Sequence, residues 1–521
     1  MASSLFKFDQ RPRVFKSIYH EIIVIILVCM AQFLSQAGVT MSLSTMNIML
    51  NSFQVTDKTI QVWFMGGYSL SVGTFILFSG KLGDLFGLKK IFIVGWIWVS
   101  LWSLITGISY YSKSIIFFII CRAFQGVGYA LLLPCGMGIL GHIYPNGKRK
   151  NLAFGCIGAN GPIGAMVGAF MAAVVGQTWW WPWEFYLITI LSIILLIGSI
   201  FFIPHLSNDE INGEITIKNV WQKLDIFGAL TGIIGLILLN FIWNQGPVAG
   251  WGKAYIIVVL IISILLIVSF FIIELNFSTH PLLPRSIFNI KVGLILACIS
   301  FGWGSFGIWQ YYYWNIILNL RLYTAIEGGL TYTPFLVMGT IAAITVSFII
   351  IHTKPSYIIS FATTCFMVGC IMLSVMPVEQ SYFRISMGQM FILCWGMDLS
   401  FPAASIILSD ILPQHHQGMA GSLVTTMVNY SVSLFLGISS CVEIEIFKHN
   451  QDQLGSYRAG LYFGIGVAAI GVICSFVLIF LTKDDLNGNE DLVEEVEHKH
   501  EEIEVRNYEI NDESDEKEEI R

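Results

Sequence analysis

The sequence predicts an all-α integral membrane protein with fourteen transmembrane helices. Three observations predict it. The chain of 521 residues is 55% hydrophobic and only 12% charged, about half the charge of a soluble globular protein. Apolar stretches near twenty residues recur along most of its length, long enough to cross hydrocarbon as helices. Finally, a backbone in lipid must satisfy its amides within a helix or a closed barrel, and these runs lack the short alternating pattern of barrel strands.

The fourteen runs lie near residues 20–49, 61–79, 91–110, 114–136, 151–175, 183–203, 225–244, 254–274, 293–314, 326–351, 357–376, 383–408, 419–441 and 457–481. Lys and Arg orient them. One side collects sixteen basic residues, including Lys7, Arg11, Arg13, Lys16, Lys81, Lys89, Lys90, Lys148, Arg149 and Lys150; the other collects seven. This places both termini in the cytoplasm. The sequons at Asn276 and Asn429 fall on the cytoplasmic side and inside a span, so neither is expected to carry glycan. Met1 to His20 is polar and basic, and no cleavable signal peptide is expected.

The net charge of −6 hides two environments. Residues 483–521 hold 17 of the 34 acidic and 5 of the 28 basic residues, so the tail carries −12 and the body +6. Such a tail reads as disordered. The ten cysteines are scattered among apolar runs with no zinc-like spacing and read as small hydrophobes. No metal or cofactor is expected. There is no P-loop for ATP, no catalytic triad in the short loops and no nucleic-acid signature.

The expected organisation is a cytoplasmic segment 1–19, a six-helix half 20–203, a linker 204–224, two additional helices 225–274, a loop 275–292, a second six-helix half 293–481 and an acidic tail 482–521. An internal echo supports duplication: "YPNGKRKNLAFG" leads into span five and "LPQHHQGMAGS" into span thirteen, eight spans on. Parallel six-span halves are a transporter plan.

Three motifs carry functional information. "GKLGDLFGLKK" (80–90) separates spans two and three. Its glycines allow a short turn, Asp84 can cap a helix N-terminus, and the lysines favour the cytoplasmic face. "RAFQGVGYA" (122–130) puts Arg122 inside span four, where a charge is expensive and needs a partner; Gln125 shares its face. "GCIGANGPIGAMVG" (155–168) makes a stripe of Gly158, Gly161, Gly164 and Gly168 that admits a close helix, with a bend at Pro162.

These motifs resemble those of the major facilitator superfamily. The first is similar to its loop motif G-x-L-x-D-R-x-G-R-K/R at Gly80, Leu82, Asp84, Gly87, Lys89 and Lys90, with Gly83 in between; Leu85 and Leu88 replace the two arginines. The second matches R-x-x-Q-G-x-G-x-A. The third resembles G-x-x-x-G-P-x-x-G-G, which in that family marks exporters. Across fourteen spans the chain looks like the fungal drug:proton antiporter group. "QAGVTMSLSTMNIML", "WFMGGYSLSVGTFILFSGKLGDLFG" and "CWGMDLSFPAASIIL" resemble its aminotriazole-resistance and boron-export subgroup. Two departures stand out: Gly38 occupies the place of a first-span aspartate, and the sixth span opens Trp181-Pro182-Trp183 instead of W-R-W.

The resemblance implies the major facilitator fold and proton-coupled efflux of small toxic compounds such as boric acid or aminotriazole-like drugs. Asp398, mid-span in "CWGMDLSFP", is the candidate proton carrier, since desolvation favours its neutral form. Arg122 is its expected counterpart across a central cavity. Gln36, Asn47, Gln125, Trp309, Gln310, Tyr313 and Asn429 are candidates for holding cargo. Asp225, Glu274 and Glu327 read as interfacial, Glu443 and Glu445 as an exit-side proton antenna, and His142, His415 and His416 as loop residues without special role. The expected partners are the lipid bilayer, protons and a small-molecule substrate, with no nucleic acid, and the chain is expected to act as a monomer. The plasma membrane is favoured over the vacuole. Two other readings stay open: a vacuolar or plasma-membrane exchanger of another solute, such as an amino acid or siderophore, and a non-transporting membrane sensor that signals through its tail.

Overall fold

The computed structural model describes residues 11–145, 148–205, 221, 223–283, 285–412 and 417–482. The acidic tail, His415, His416 and most of the 204–224 linker lie outside them. Among the described residues fourteen helices are long and apolar enough to span a membrane. They are α1 (Ile18–Ser44), α2 (Lys58–Phe86), α3 (Leu88–Ser112), α4 (Ile115–Ile143), α5 (Leu152–Thr178), α6 (Pro182–Phe202), α7 (Ile226–Ala249), α8 (Ala254–Phe277), α9 (Ile290–Leu320), α10 (Ala325–Ile350), α11 (Pro355–Ser374), α12 (Ile385–Ser409), α13 (Met419–Asn450) and α14 (Gln453–Thr482). An even number of crossings returns the chain to the face where α1 starts, here the terminal face.

Local chemistry sets several helix starts. Ser17, Ser114, Asp225 and Asn289 each accept a backbone N–H of the first turn of α1, α4, α7 and α9. Thr324 and Glu327 form a reciprocal capping box at the start of α10, which satisfies two otherwise orphaned donors. Asp225 and Glu327 are therefore helix-capping acids. α1 breaks at Thr45 and resumes as a seven-residue helix, Met46–Ser52.

Pairings among the first six spans recur eight helices later. α1 packs along α5 and α9 along α13; α2 and α3 pack on α4, and α10 and α11 on α12. α2 then lies along α13, and α5 along α10, so two pairs of long contacts join the halves. The first is close enough that a Cβ on Gly73 would sit 2.5 Å from the Tyr430 backbone nitrogen. α7 and α8 pack on each other, and α7 covers the α2–α13 seam. Asn240 of α7 donates to Ser433 of α13 (3.0 Å), which donates to the Gly66 carbonyl of α2 (2.7 Å).

Isoleucine, valine and phenylalanine side chains of α8 remain exposed in the isolated chain, as a lipid-facing helix requires. The interior is aromatic and close-packed around Trp309, Tyr313, Trp314, Tyr332 and Phe335.

Candidate functional site

The 80–90 motif is not the loop that the sequence suggested. Span two continues as helix to Phe86, and Gly87 alone makes the turn into Leu88. Gly87 has φ 102°, a backbone conformation that a side chain would strain. Its N–H bonds to the Gly83 carbonyl, and its own carbonyl accepts from Ile91. Lys89 donates to the carbonyls of Ile200 (2.9 Å) and Ile203 (2.5 Å), so it caps the C-terminus of α6 and meets its negative dipole end. Lys81 donates to the His280 carbonyl beyond α8 and interacts electrostatically with Glu274, Asp225 and Asp84. Glu274 is buried and accepts from the Leu283 N–H (3.2 Å). The motif is thus tied to both α6 and the additional helix pair. Asp84 and Lys90 are exposed, and Gly80 faces Ser422 at the start of α13.

Arg122 is fully buried in the half of α4 away from the terminal face. Its two terminal nitrogens donate to Gln125, the Gly38 carbonyl and Ser42 (2.9 Å to the last). Its guanidinium lies over the Tyr68 ring at 4.5 Å, a favourable cation–π distance. Gln125 in turn donates to Ser103 of α3 (2.7 Å). Arg122 is therefore held within the first six helices. Its carboxylate neighbour is Glu184, in the first turn of α6, and Asp398 does not share its network.

The glycine stripe of α5 mainly serves α1. A Cβ at Gly164 would run into the Phe33 carbonyl, and one at Gly168 into the Ala37 backbone; Gly161 lies near Gln32, while Gly158 has open space. Thr40 of α1 donates to the Ala165 carbonyl (2.7 Å). Pro162 points the other way, toward the second half.

There it and Asp398 flank Gly339 of α10. A Cβ built on Gly339 of α10 would lie 2.5 Å from the Pro162 ring and 3.4 Å from Asp398 Oδ2. Asp398 is 8% exposed, and Oδ2 has no hydrogen-bond partner. The proline of α5, the glycine of α10 and the acid of α12 thus converge where the halves touch. A buried carboxylate without full hydrogen bonding is costly when charged.

The cargo candidates are dispersed. Gln36 is half-buried on α1. Asn47, on the short helix after Thr45, donates to Asn319 of α9 (3.0 Å) and accepts from Gln61 (3.4 Å), bridging the halves at the face opposite the termini. Gln125 serves Arg122. Trp309 donates to Gln389 (2.9 Å) and stacks on Tyr313; Gln310 is buried in the same aromatic core. The Asn429 amide bonds back to the Thr425 carbonyl (3.0 Å). Among the acids, Glu443 accepts from Tyr312 (3.0 Å), and Glu445 pairs with Lys448 (2.9 Å). His142 bonds to the Gly138 carbonyl on its own helix.

Sequence reasoning missed Glu184, Glu21, Asn319 and Gly339. Glu21 pairs with Arg149 (2.8 Å) and accepts from Tyr144 (2.8 Å), tying α1 to the start of α5. Both glutamates lie in first turns, where an acid is expected for the helix dipole alone, so neither stood out. No group of three metal-ligating side chains occurs among the described residues.

This architecture has counterparts of known sequence and structure. The profile of the Major Facilitator Superfamily matches residues 28–437. The aminotriazole resistance protein of Saccharomyces cerevisiae is 46% identical over 89% of this chain and 85% of its own. The low affinity ammonium transporter of the same yeast is 42% identical over 89% of both chains. An efflux pump of Aspergillus terreus is 36% identical over 89% of this chain and 88% of its own. Among solved structures, a POT family transporter in complex with 5-aminolevulinic acid superposes with a TM-score of 0.63 at 15% identity, covering 91% of this chain and 99% of that one. The peptide transporter POT in complex with sulfate gives 0.62 at 13% identity, covering 88% and 94%. On the profile match and the yeast relatives together, the chain belongs to the major facilitator superfamily of multi-pass membrane transporters.

Proposed function

We propose that the chain is a proton-coupled exporter of small polar toxic compounds, aminotriazole and boric acid being the cargoes to try first. It is a carrier, not an enzyme. The observation that carries the reading is Asp398: a buried acid with an unpartnered oxygen, placed where α5, α10 and α12 meet at Gly339. A proton there neutralises the site and a carboxylate does not, so its occupancy biases how the halves pack. The names of the relatives, an aminotriazole resistance protein in yeast and an efflux pump in Aspergillus, support efflux.

In this cycle the halves, residues 20–203 and 293–481, rock about the α2–α13 and α5–α10 contacts while 225–274 rides on the seam. Cargo enters from the cytoplasm as Asp398 loses its proton, and a proton from outside resets the carrier. The protein works as a monomer in the plasma membrane with both termini in the cytoplasm.

The test is efflux of aminotriazole and of boric acid from preloaded cells, intact protein against Asp398→Asn, at acidic and neutral outside pH. Efflux that rises with outside acidity and is lost in the mutant supports the proposal. Efflux indifferent to both, with the protein confirmed at the surface, overturns it. The relative named as an ammonium transporter favours a second reading, uptake of ammonium on the same scaffold; methylammonium uptake separates the two. A sensor would instead lose its phenotype on deletion of 483–521 and keep it in Asp398→Asn.

A further inference from the structure

A second buried carboxyl lies in the other half of the molecule. Glu184 is 3% exposed. Its Oε2 is 3.0 Å from Thr45 Oγ1, and that same hydroxyl is 2.9 Å from the Met41 carbonyl oxygen. A threonine hydroxyl has one hydrogen to give. If Glu184 is ionised, two acceptors compete for that hydrogen and one short contact is left without a donor. If Glu184 carries a proton, both contacts are satisfied: the acid donates to Thr45, and Thr45 donates to Met41.

The other oxygen is equally telling. Glu184 Oε1 is buried without a hydrogen-bond partner. It occupies a niche that exists because residue 176 is glycine, where a Cβ would fall 2.5 Å away. An ionised carboxylate accepts several hydrogen bonds, and burying one with so few is costly.

One force opposes the proton. Arg122 interacts with Glu184 through space without direct contact, its terminal nitrogens being committed to neutral partners and its Nε to none. Among the neighbouring elements, α2 and α4 bring Tyr68 and Tyr129 to that guanidinium. α3 turns Tyr110 onto Trp180 and Trp181, α1 offers Thr45, and α5 offers Gly176. Protonation satisfies the Thr45 contacts and leaves Arg122 uncompensated; deprotonation does the reverse. Opposed demands of this kind make a site that can exchange its proton.

We propose that Glu184 is a second proton-binding site, set in the first half and opposed by Arg122, that holds its proton in the conformation described here and releases it in the other access state. The transport role rests on the proton-coupled reading above; the protonation itself does not. With Asp398 it gives each half one carboxyl for the cycle. Thr45 also marks the break in α1, two residues before Asn47 bridges to Asn319, so the proton sits next to the contact that joins the halves at that face.

Infrared difference spectroscopy on the full-length protein in liposomes, stepped from alkaline to acidic buffer, tests this without any cargo. The expected result is a carboxylic-acid C=O band that Glu184→Gln removes and Asp398→Asn leaves. Thr45→Ala should move that band to higher frequency by removing the partner of the acid proton. A Glu184→Gln spectrum identical to that of the intact protein overturns the proposal, while a band lost only in Asp398→Asn would keep the reading of that residue. If Glu184→Gln removes its band and Asp398→Asn removes no band of its own, this proposal stands and coupling moves away from Asp398. If Glu184→Gln fails to fold, the Thr45→Ala shift decides: an unmoved spectrum overturns the assignment. With a transported cargo, Glu184→Gln should take up half the protons per molecule moved.

Discussion

Pro162 and Gly339 touch across the boundary between the two halves. A Cβ on Gly339 would lie 2.5 Å from the proline ring. The proline of α5 and the missing side chain on α10 are therefore two sides of one contact, with Asp398 beside it. Gly339→Val should force α5 and α10 apart at a cost on the order of 1–3 kcal/mol. The expected outcome is protein at the normal surface level with efflux reduced at least ~10-fold, read by labelled-cargo efflux against a surface immunoblot.

Arg122→Lys should inactivate the carrier although the charge is kept. The guanidinium fork reaches Gln125, Gly38 and Ser42 together, and one ammonium cannot reproduce that planar set over the Tyr68 ring. Loss of at least one buried charged hydrogen bond costs about 1.5–3 kcal/mol. Transport should fall more than ~10-fold, and the thermal unfolding midpoint of purified protein should drop.

Asn47 and Asn319 form a latch between the halves at the face opposite the termini. Removing either amide should weaken the closed arrangement by about 1 kcal/mol, roughly fivefold in the open-to-closed ratio. An impermeant thiol reagent added from that face to a Gln36→Cys protein should label faster by about that factor when Asn47→Ala or Asn319→Ala is added. Because the partners are shared, the double change should add little beyond either one. Fully additive effects would refute the latch.

Gly73→Ala tests the other long contact. The new methyl would meet the backbone of Tyr430, and backbone in a packed helix cannot swing aside as a side chain can. We expect a loss of stability of about 1–3 kcal/mol and reduced yield in membranes. Gly158→Ala, whose methyl would enter open space, should leave both unchanged.

The fourteen spans were legible because length and apolarity are local properties of the chain. Boundaries were less so where polar residues continue a helix: Lys81 and Asp84 look like loop, yet their backbone is helical to Phe86 because Gly87 alone can make the turn. Asp398 and Arg122 stood out as charges inside apolar runs, but their partners did not. The neighbours of Arg122 come from α1, α2 and α6, far apart in sequence, and Glu184 sits where an acid is ordinary. Gly339 has no local signal at all; its meaning lies in Pro162, 177 residues away. Asn47 was singled out for cargo, and its contact with Asn319 makes it a bridge.

A one-residue link between α2 and α3 leaves no slack. Gly87 closes one helix through Gly83 and opens the next through Ile91, so the two rods are hinged at a point, not tethered by a string. Any tilt of α2 along its seam with α13 must be passed on as torque to α3, and through Lys89 to the end of α6. The short motif thus works as a bell crank: it links sliding at the contact between the halves to rotation of α3 and of the end of α6.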